Sequence, residues 1–260
     1  MPSKSPFLSV FELGTPRSEH SVKMLSKLGN GILGVLLVGF GLGVLLFGLY
    51  GALVEINRDL GAALGVACLP GLFAVTCLVL GGWALYKTWN NWGSAAAVFD
   101  RGLAVANFED VRQIPWEEVT AIWQEVTKHY YNGVYTGTTH KYTVQLTDDT
   151  KYKFDDKYKE VETLGKAIQT NVTNTLYPKY VSALKAGSRL EFGPLALDRN
   201  KIYSGKKELD WSEVKSIRIQ SGFISVKKDK GWFRWAGARV PQIPNFFVFY
   251  ALLKNFTTVE

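Results

Sequence analysis

The sequence is poor in the residues that most often build catalytic and metal sites. Its 260 residues include only two cysteines and three histidines. The cysteines, Cys68 and Cys77, form neither a CxxC pair nor a disulfide framework. No GxxxxGK[ST], HExxH or GxSxG motif is present. These absences argue against an enzyme, and we expect no catalytic residue, no metal site and no cofactor.

Charged side chains are missing from two long stretches, residues 29–54 and 61–86. A helix needs about 20 apolar residues to cross a bilayer. Residues 28–90 are therefore predicted to form a two-helix transmembrane hairpin with a short turn at 55–60. The alternative is a pair of buried helices in a large soluble core. Because neither stretch contains Asp, Glu, Lys, Arg or His, a channel or pump is disfavoured and the hairpin is interpreted as an anchor.

Basic residues lie on one side of this hairpin, which predicts its orientation. Lys23 and Lys27 precede the first stretch and Lys87 follows the second, whereas the turn holds only Arg58. Basic residues stay on the cytoplasmic side of a membrane. The N-terminal segment 1–27 and the domains after the hairpin are therefore predicted to be cytoplasmic, in a multi-pass protein of the cell membrane. Four aromatic residues fit the interfacial belt where the second helix leaves the membrane: Trp83, Tyr86, Trp89 and Trp92.

Glycine pairs spaced four residues apart occur in both apolar stretches, at Gly39 and Gly43 and at Gly61 and Gly65. Small residues at this spacing let helices approach closely in lipid. The pairs predict either packing within the hairpin, which is the interpretation that we favour, or dimerisation.

The remainder of the chain contains an internal repeat. "PWEEVTAI" at 115–122 is similar to "DWSEVKSI" at 210–217, and an Asp-Arg pair precedes each, at 100–101 and 198–199. A repeat of this kind is typical of two related structural units. The aligned aromatic and aliphatic residues are predicted to be core residues rather than site residues: Trp116, Ile122, Trp211, Ile217 and, later in the second copy, Trp235.

Each copy has the pattern of a small antiparallel sheet closed by a helix. Alternating apolar and polar residues predict hairpins at 142–154 and 223–235. Apolar residues at helical spacing then predict a closing helix in each copy. The expected fold class is a membrane α-helical hairpin plus α+β. We expect a first domain at 95–175, a helical linker at 176–187 that begins near Pro178, and a second domain at 188–260.

This order of strands, Trp-x-Glu-Val-x-x-Ile, hairpin and closing helix resembles the bacterial pleckstrin-homology-like (PH-like) domain. With the preceding hairpin, most of residues 12–256 is similar to an uncharacterised family of two-span membrane proteins with tandem PH-like domains. The resemblance implies a fold and a topology, not an activity. The first copy departs from the pattern by an insertion, "KHYYNGVYTGTTH" at 128–140. We interpret it as a surface hairpin with two incidental histidines, His129 and His140, because no further metal ligands are placed beside them.

The basic excess of the chain belongs to the second copy. Residues 187–260 hold 13 basic and 7 acidic side chains, a net charge of +6, whereas residues 98–186 hold 11 basic and 12 acidic ones. Juxtamembrane Lys and Arg attract anionic lipid at about 1 kcal/mol each. The candidate residues for binding lipid or a partner lie at predicted turns of the second copy: Arg199, Lys201, Lys206, Lys207, Lys227, Lys228, Lys230 and Trp232. The alternative is an ordinary solvated basic surface.

Two functions remain open from the sequence. The first is a non-enzymatic, membrane-anchored scaffold whose sheets offer an exposed edge strand to a protein partner. The second is a sensor of anionic lipid or of the membrane surface, acting through the basic second copy. Specific nucleic-acid binding is not expected, because no helix suited to a DNA groove and no stacking motif is visible.

Overall fold

The structure is a computed structural model that describes residues 6–7, 10, 12–56, 59–107, 110–230 and 233–259. The chain divides into two compact units. The first contains residues 21–96 together with 105–112, and the second contains residues up to 20, 97–104 and the chain from 113 onward.

Two long helices dominate the first unit, α1 (Met24–Glu55) and α2 (Leu60–Trp92). Both are long and apolar enough to cross a membrane, since 32 residues of helix span about 48 Å against a hydrocarbon core of about 30 Å. Only 17% of the most apolar window of each helix is buried. The alternative of two buried helices in a soluble core does not fit this exposure.

Glycines of α1 form the contact between the two helices. Gly34, Gly41 and Gly48 are buried and seven residues apart, which is the period of a left-handed helix pair. A side-chain carbon on Gly34 would stand 3.0 Å from the carbonyl oxygen of Gly81.

The glycine pairs singled out in the sequence do not make this contact. A side-chain carbon on Gly39, Gly43 or Gly65 would meet nothing within 4 Å, and one on Gly61 would meet only the side chain of Asp59. Our prediction that these pairs pack the two helices against each other is therefore wrong, because other glycines make that contact.

Apart from the two long helices, the chain contains the same series of elements twice. Each series begins with a four-stranded sheet whose strands are neighbours in sequence order. A one-turn 3-10 helix that begins with the repeated tryptophan, a three-stranded antiparallel sheet and a closing helix follow. The first series is β1 (Pro16–Ser21), β2 (Ala95–Phe99), β3 (Gly102–Ala106), β4 (Val111–Pro115), the turn Trp116–Glu118, β5 (Val119–Tyr131), β6 (Val134–Leu146), β7 (Lys151–Asp155) and α3 (Val161–Lys185). The second is β8 (Leu190–Phe192), β9 (Leu195–Leu197), β10 (Lys201–Ser204), β11 (Lys207–Asp210), the turn Trp211–Glu213, β12 (Val214–Gln220), β13 (Phe223–Lys228), β14 (Arg234–Arg239), the turn Val240–Gln242 and α4 (Phe246–Leu253).

The two series share local geometry as well as order. Register shifts occur at the same place, between Val119 and Ala121 in β5 and between Val214 and Ser216 in β12. Each closing helix also follows a residue in the left-handed region, Glu160 at φ 50° and Asn245 at φ 52°. The sequence repeat is therefore a repeat of structure. The second compact unit contains the whole second copy and most of the first, so their division into two domains stays a prediction from the repeat.

The Asp-Arg pairs occupy equivalent turns, between β2 and β3 and between β9 and β10. Hydrogen bonds from Thr15 and Arg17 lower the pKa of Asp100. Burial raises the pKa of Asp198, but hydrogen bonds from Tyr203 and from the backbone of Asn200 and Lys201 outweigh it and lower that pKa overall. Asp198 therefore holds its own turn through charge-assisted hydrogen bonds, whereas Asp100 joins its turn to Thr15 and Arg17.

The structure places β1 differently from the sequence-based boundary at residue 27. Strand β1 joins the sheet of the first copy beside β2, so the first copy begins before the helical hairpin. Arg17 forms an ion pair with Asp100 at 2.5 Å, and the buried imidazole of His20 lies 3.0 Å from the carbonyl oxygen of Lys159. A strand separated from its sheet by two long helices leaves no local pattern in the sequence.

Helix α3 is one continuous helix, and the predicted linker helix is its second half. Pro178 lies inside α3. Proline in a helix removes one backbone hydrogen bond, but Leu176 and Leu184 are buried on either side of it, and Tyr180 contacts Phe192 with ring centroids 5.3 Å apart. These contacts stabilise the helix through the proline.

The residues predicted to form the core differ in burial. Trp116, Ile122 and Ile217 are at most 5% exposed. Trp211 is half-buried, and Phe256 stacks on its ring with centroids 4.5 Å apart. Trp235 is also half-buried rather than core. It lies at the register shift of β14, where Arg234 and Ala236 pair with β13 and Trp235 does not.

Candidate functional site

Strand β5 is an edge strand, since the order of its sheet is β5-β6-β7. The first part of this edge is already occupied. The backbone N–H of Asn245 donates to the carbonyl oxygen of Ile122 at 2.9 Å, and the Ile122 N–H donates to Oδ1 of Asn245 at 3.0 Å. The Asn245 side chain also donates to the carbonyl oxygen of Thr120 at 2.9 Å. One residue of the second copy thus continues the ladder of the first.

These bonds show which backbone groups of β5 face away from β6. Both backbone groups of Ile122 face outward, and the orientation of backbone groups alternates along a strand. The groups of Gln124, Val126 and Lys128 therefore face outward as well. Among the residues that the structure describes, none provides a backbone partner for these three. The edge of β5 beyond Ile122 is open to pairing with another strand.

This open edge borders a groove of about 910 Å³. The other wall comes from the second copy, at the β12–β13 turn and the turn that follows β14. The lining residues are Gln124, Glu125, Val126, Thr127, Lys128, Tyr130, Ile219, Ser221, Gly222, Phe223, Arg239, Val240, Pro241 and Phe246. The groove therefore combines a free strand edge with an apolar wall.

The charge of the groove is positive. Its one lining carboxylate, Glu125, forms an ion pair with Lys141 at 3.2 Å. Two cations, Lys128 and Arg239, also line it. Within the described part of the chain no acidic side chain forms an ion pair with either of them. A ligand with acidic side chains would complement these two residues.

The basic residues proposed from the sequence do not gather at this groove. Arg199 and Lys230 lie in turns that both border the 3-10 turn Trp211–Glu213, since the Trp211 N–H donates to Asn200 and the Asp229 N–H donates to Glu213. Lys227 and Lys228 end the adjoining strand β13. Lys206 and Lys207 lie at the opposite end of β10 and β11, about 10 Å away along the strands. Trp232 lies outside the described residues.

Two of these cations already have acidic partners. Lys201 pairs with Glu208 at 2.8 Å, and Lys228 pairs with Glu213 at 2.8 Å. The ion pair with Glu208 raises the pKa of Lys201. Because these contacts neutralise part of the charge, the predicted basic set divides into a smaller cluster near Trp211 and a separate pair at Lys206 and Lys207.

The two histidines of the insertion do not face each other. His140 pairs with Val126 and His129 with Gly137 in the β5–β6 ladder. The imidazole of His140 lies 3.2 Å from the carboxylate of Asp156, and that of His129 lies 3.0 Å from the hydroxyl of Thr139. No group of three His, Cys, Asp or Glu side chains among the described residues could hold a metal ion.

The sequence predicted an exposed edge strand but did not identify β5 as that strand or Asn245 as the residue that covers its start. Strand alternation alone cannot tell which strand of a sheet is at its edge. The available signal was Pro244-Asn245 before an apolar helix, because asparagine tolerates the left-handed region that precedes α4.

Comparison with protein families gives one finding of broad coverage. A family model described as a family of unknown function (DUF6585) matches residues 3–259. The matched region includes both long helices and both copies of the repeat. No curated protein matches the chain.

Proposed function

We propose that this chain, which belongs to the DUF6585 family of unknown function, is a membrane-anchored, non-enzymatic module that binds an extended segment of a protein partner. In this proposal α1 and α2 anchor the chain in the cell membrane with both termini cytoplasmic, as the basic residues around the hairpin predict. The two copies are PH-like domains. The repeated order of a four-stranded sheet, a three-stranded sheet and a closing helix supports that identity.

The observation that carries the proposal is the partly occupied edge of β5. Asn245 makes on Ile122 the two backbone-directed bonds that an added strand would make. A partner strand would continue this ladder on the outward groups of Gln124, Val126 and Lys128. Main-chain hydrogen bonds of this kind provide affinity in strand addition, and pockets for alternate side chains provide specificity.

The groove also indicates the chemistry of the partner segment. Phe223, Val240 and Phe246 supply an apolar wall, while Lys128 and Arg239 supply positive charge. The complementary segment is extended, carries apolar side chains on one face and has acidic residues within reach of these two cations.

A proline substitution tests strand addition without breaking the sheet. Val126→Pro removes an N–H that faces the groove, and proline is tolerated where an edge N–H faces outward. The matched control is Lys153→Pro on β7, the other edge of the same sheet, where the alternation set by the Phe154–Tyr142 pair turns the Lys153 N–H outward. We expect Val126→Pro to reduce partner capture at least about tenfold, which corresponds to the loss of about one buried hydrogen bond.

The measurement is quantitative mass spectrometry of proteins cross-linked to the full chain in mild detergent. Proteins that depend on the β5 edge should be retained by the wild type and by Lys153→Pro and lost from Val126→Pro. Equal retention by all three chains would overturn strand addition at β5.

The cluster of Arg199, Lys227 and Lys230 near Trp211 favours anionic lipid as a second candidate. Native mass spectrometry of the detergent-solubilised chain with added phosphatidylglycerol distinguishes the two. Lipid binding that falls in a Lys227→Glu, Lys228→Glu, Lys230→Glu variant and also falls at high salt would favour the lipid function. Binding that is unchanged would remove it.

A further inference from the structure

The insertion of the first copy lengthens the β5–β6 hairpin into a projecting ribbon. Strand β7 pairs only with residues 141–145 of β6. The pairs from Val126–His140 to Tyr131–Val134 therefore lie beyond the three-stranded part of the sheet. Six residues of strand correspond to about 20 Å. The corresponding strands of the second copy, β12 and β13, end after seven and six residues.

The end of this ribbon is a regular two-residue turn. Asn132 and Gly133 form the two-residue turn with φ of 48° and 80°, which is the type I′ conformation that Asn-Gly favours. Tyr130 and Tyr135 face each other across the strands in an edge-to-face contact with ring centroids 5.9 Å apart. The tip is therefore a defined structure and not an irregular loop.

The side chains at the tip are large and apolar or aromatic, and they face solvent. Tyr130, Tyr131, Val134 and Tyr135 have between 55% and 72% of their area exposed. Residues 126–140 contain no acidic side chain, and their only lysine is Lys128. An exposed patch of this composition on a hairpin tip marks a contact surface.

We propose that this tyrosine tip, formed by Tyr130, Tyr131, Val134 and Tyr135, binds the headgroup interface of a lipid bilayer. Tyrosine is enriched at that interface because its ring is apolar and its hydroxyl is polar. The lack of acidic residues removes repulsion from anionic lipids. The same chain has two helices that are long and apolar enough to cross a bilayer, and such a tether raises the effective concentration of lipid at the tip.

The experiment uses the full chain in nanodiscs of phosphatidylcholine and phosphatidylglycerol, with Cys68→Ala and Cys77→Ala. An NBD fluorophore is attached at Thr136→Cys, an exposed position beside the tip that the β5–β6 register leaves unpaired. The control label is at Thr147→Cys, an exposed position just after the other end of β6. Lipids with a spin label at the headgroup serve as the quencher.

We expect quenching by these lipids to be at least about twofold stronger at position 136 than at position 147, since only the former lies beside the interfacial aromatic residues. Replacing Tyr130, Tyr131 and Tyr135 by serine should reduce the signal at position 136 to that at 147. Equal quenching at both positions would overturn the proposal. So would a label at 136 that is shielded from water but not quenched by lipid, which would indicate a protein contact. Neither label lies in the groove beside β5, so the comparison of positions 136 and 147 in the chain with its tyrosines intact reports lipid contact whether or not a partner strand binds there.

Discussion

Replacing Trp116 by alanine should lower the free energy of unfolding by about 3–5 kcal/mol, the usual cost of deleting a large buried aromatic side chain. Trp116 is 4% exposed. The equivalent Trp211→Ala in the second copy should cost clearly less. Its side chain is only half-buried, with the ring of Phe256 stacked on it at 4.5 Å. The aligned tryptophans are thus expected to contribute unequally to the free energy of unfolding.

Conservative replacements sharpen this comparison. The indole N–H of Trp211 donates to the carbonyl oxygen of Asp198 at 3.0 Å, whereas the indole nitrogen of Trp116 is buried without a partner among the described residues. Trp211→Phe should therefore lose a hydrogen bond of about 1 kcal/mol. Trp116→Phe removes a polar group that has no partner and should recover most of the loss seen in Trp116→Ala.

Denaturant unfolding of the full chain in detergent, followed by tryptophan fluorescence, measures all four variants. A larger loss for Trp211→Ala than for Trp116→Ala would contradict the burial that distinguishes the two copies. The comparison needs no assumption about function, because it depends only on packing.

Most helices and hairpins of the fold could be predicted, because the sequence patterns that indicate them are local. Charge-free stretches and alternation depend on neighbours in sequence, so the two long helices and the hairpins of each copy could be read from the residues. Contacts between segments that are distant in sequence could not be predicted in this way. Strand β1 pairs with β2 although the two long helices separate them in sequence. Trp235 lies at a register shift of β14, so simple alternation of side chains assigns it to the wrong face of the strand.

The candidate site was less predictable for the same reason. Basic residues at turns are visible in a sequence, but their ion pairs with Glu208 and Glu213 are not. The groove depends on which strand forms the sheet edge and on where the second copy approaches it. Asn245 lies 123 residues from Ile122, so no local pattern indicates that it covers the start of β5.

Asn245 and Glu160 occupy equivalent positions in the two copies. Both precede a closing helix in the left-handed region, at φ 52° and 50°, where glycine fits without strain. Glu160→Gly should be neutral or slightly stabilising, because the Glu160 side chain is exposed and the substitution relieves backbone strain of about 1 kcal/mol.

Asn245→Gly should have the opposite sign. It relieves less strain, because asparagine tolerates the left-handed region. It also removes the acceptor of the Ile122 N–H and the donor to the Thr120 carbonyl, and leaving buried polar groups unpaired costs about 1–3 kcal/mol each. We expect a net loss of about 2–4 kcal/mol in the free energy of unfolding, measured by denaturant titration of the full chain. Asn245→Asp retains an acceptor for Ile122 but, when ionised, has no donor for Thr120 and places a charge at a position that is 3% exposed, so it should also destabilise the protein. Equal effects of Asn245→Gly and Glu160→Gly would mean that the side chain of Asn245 does not hold the second copy to the edge of β5.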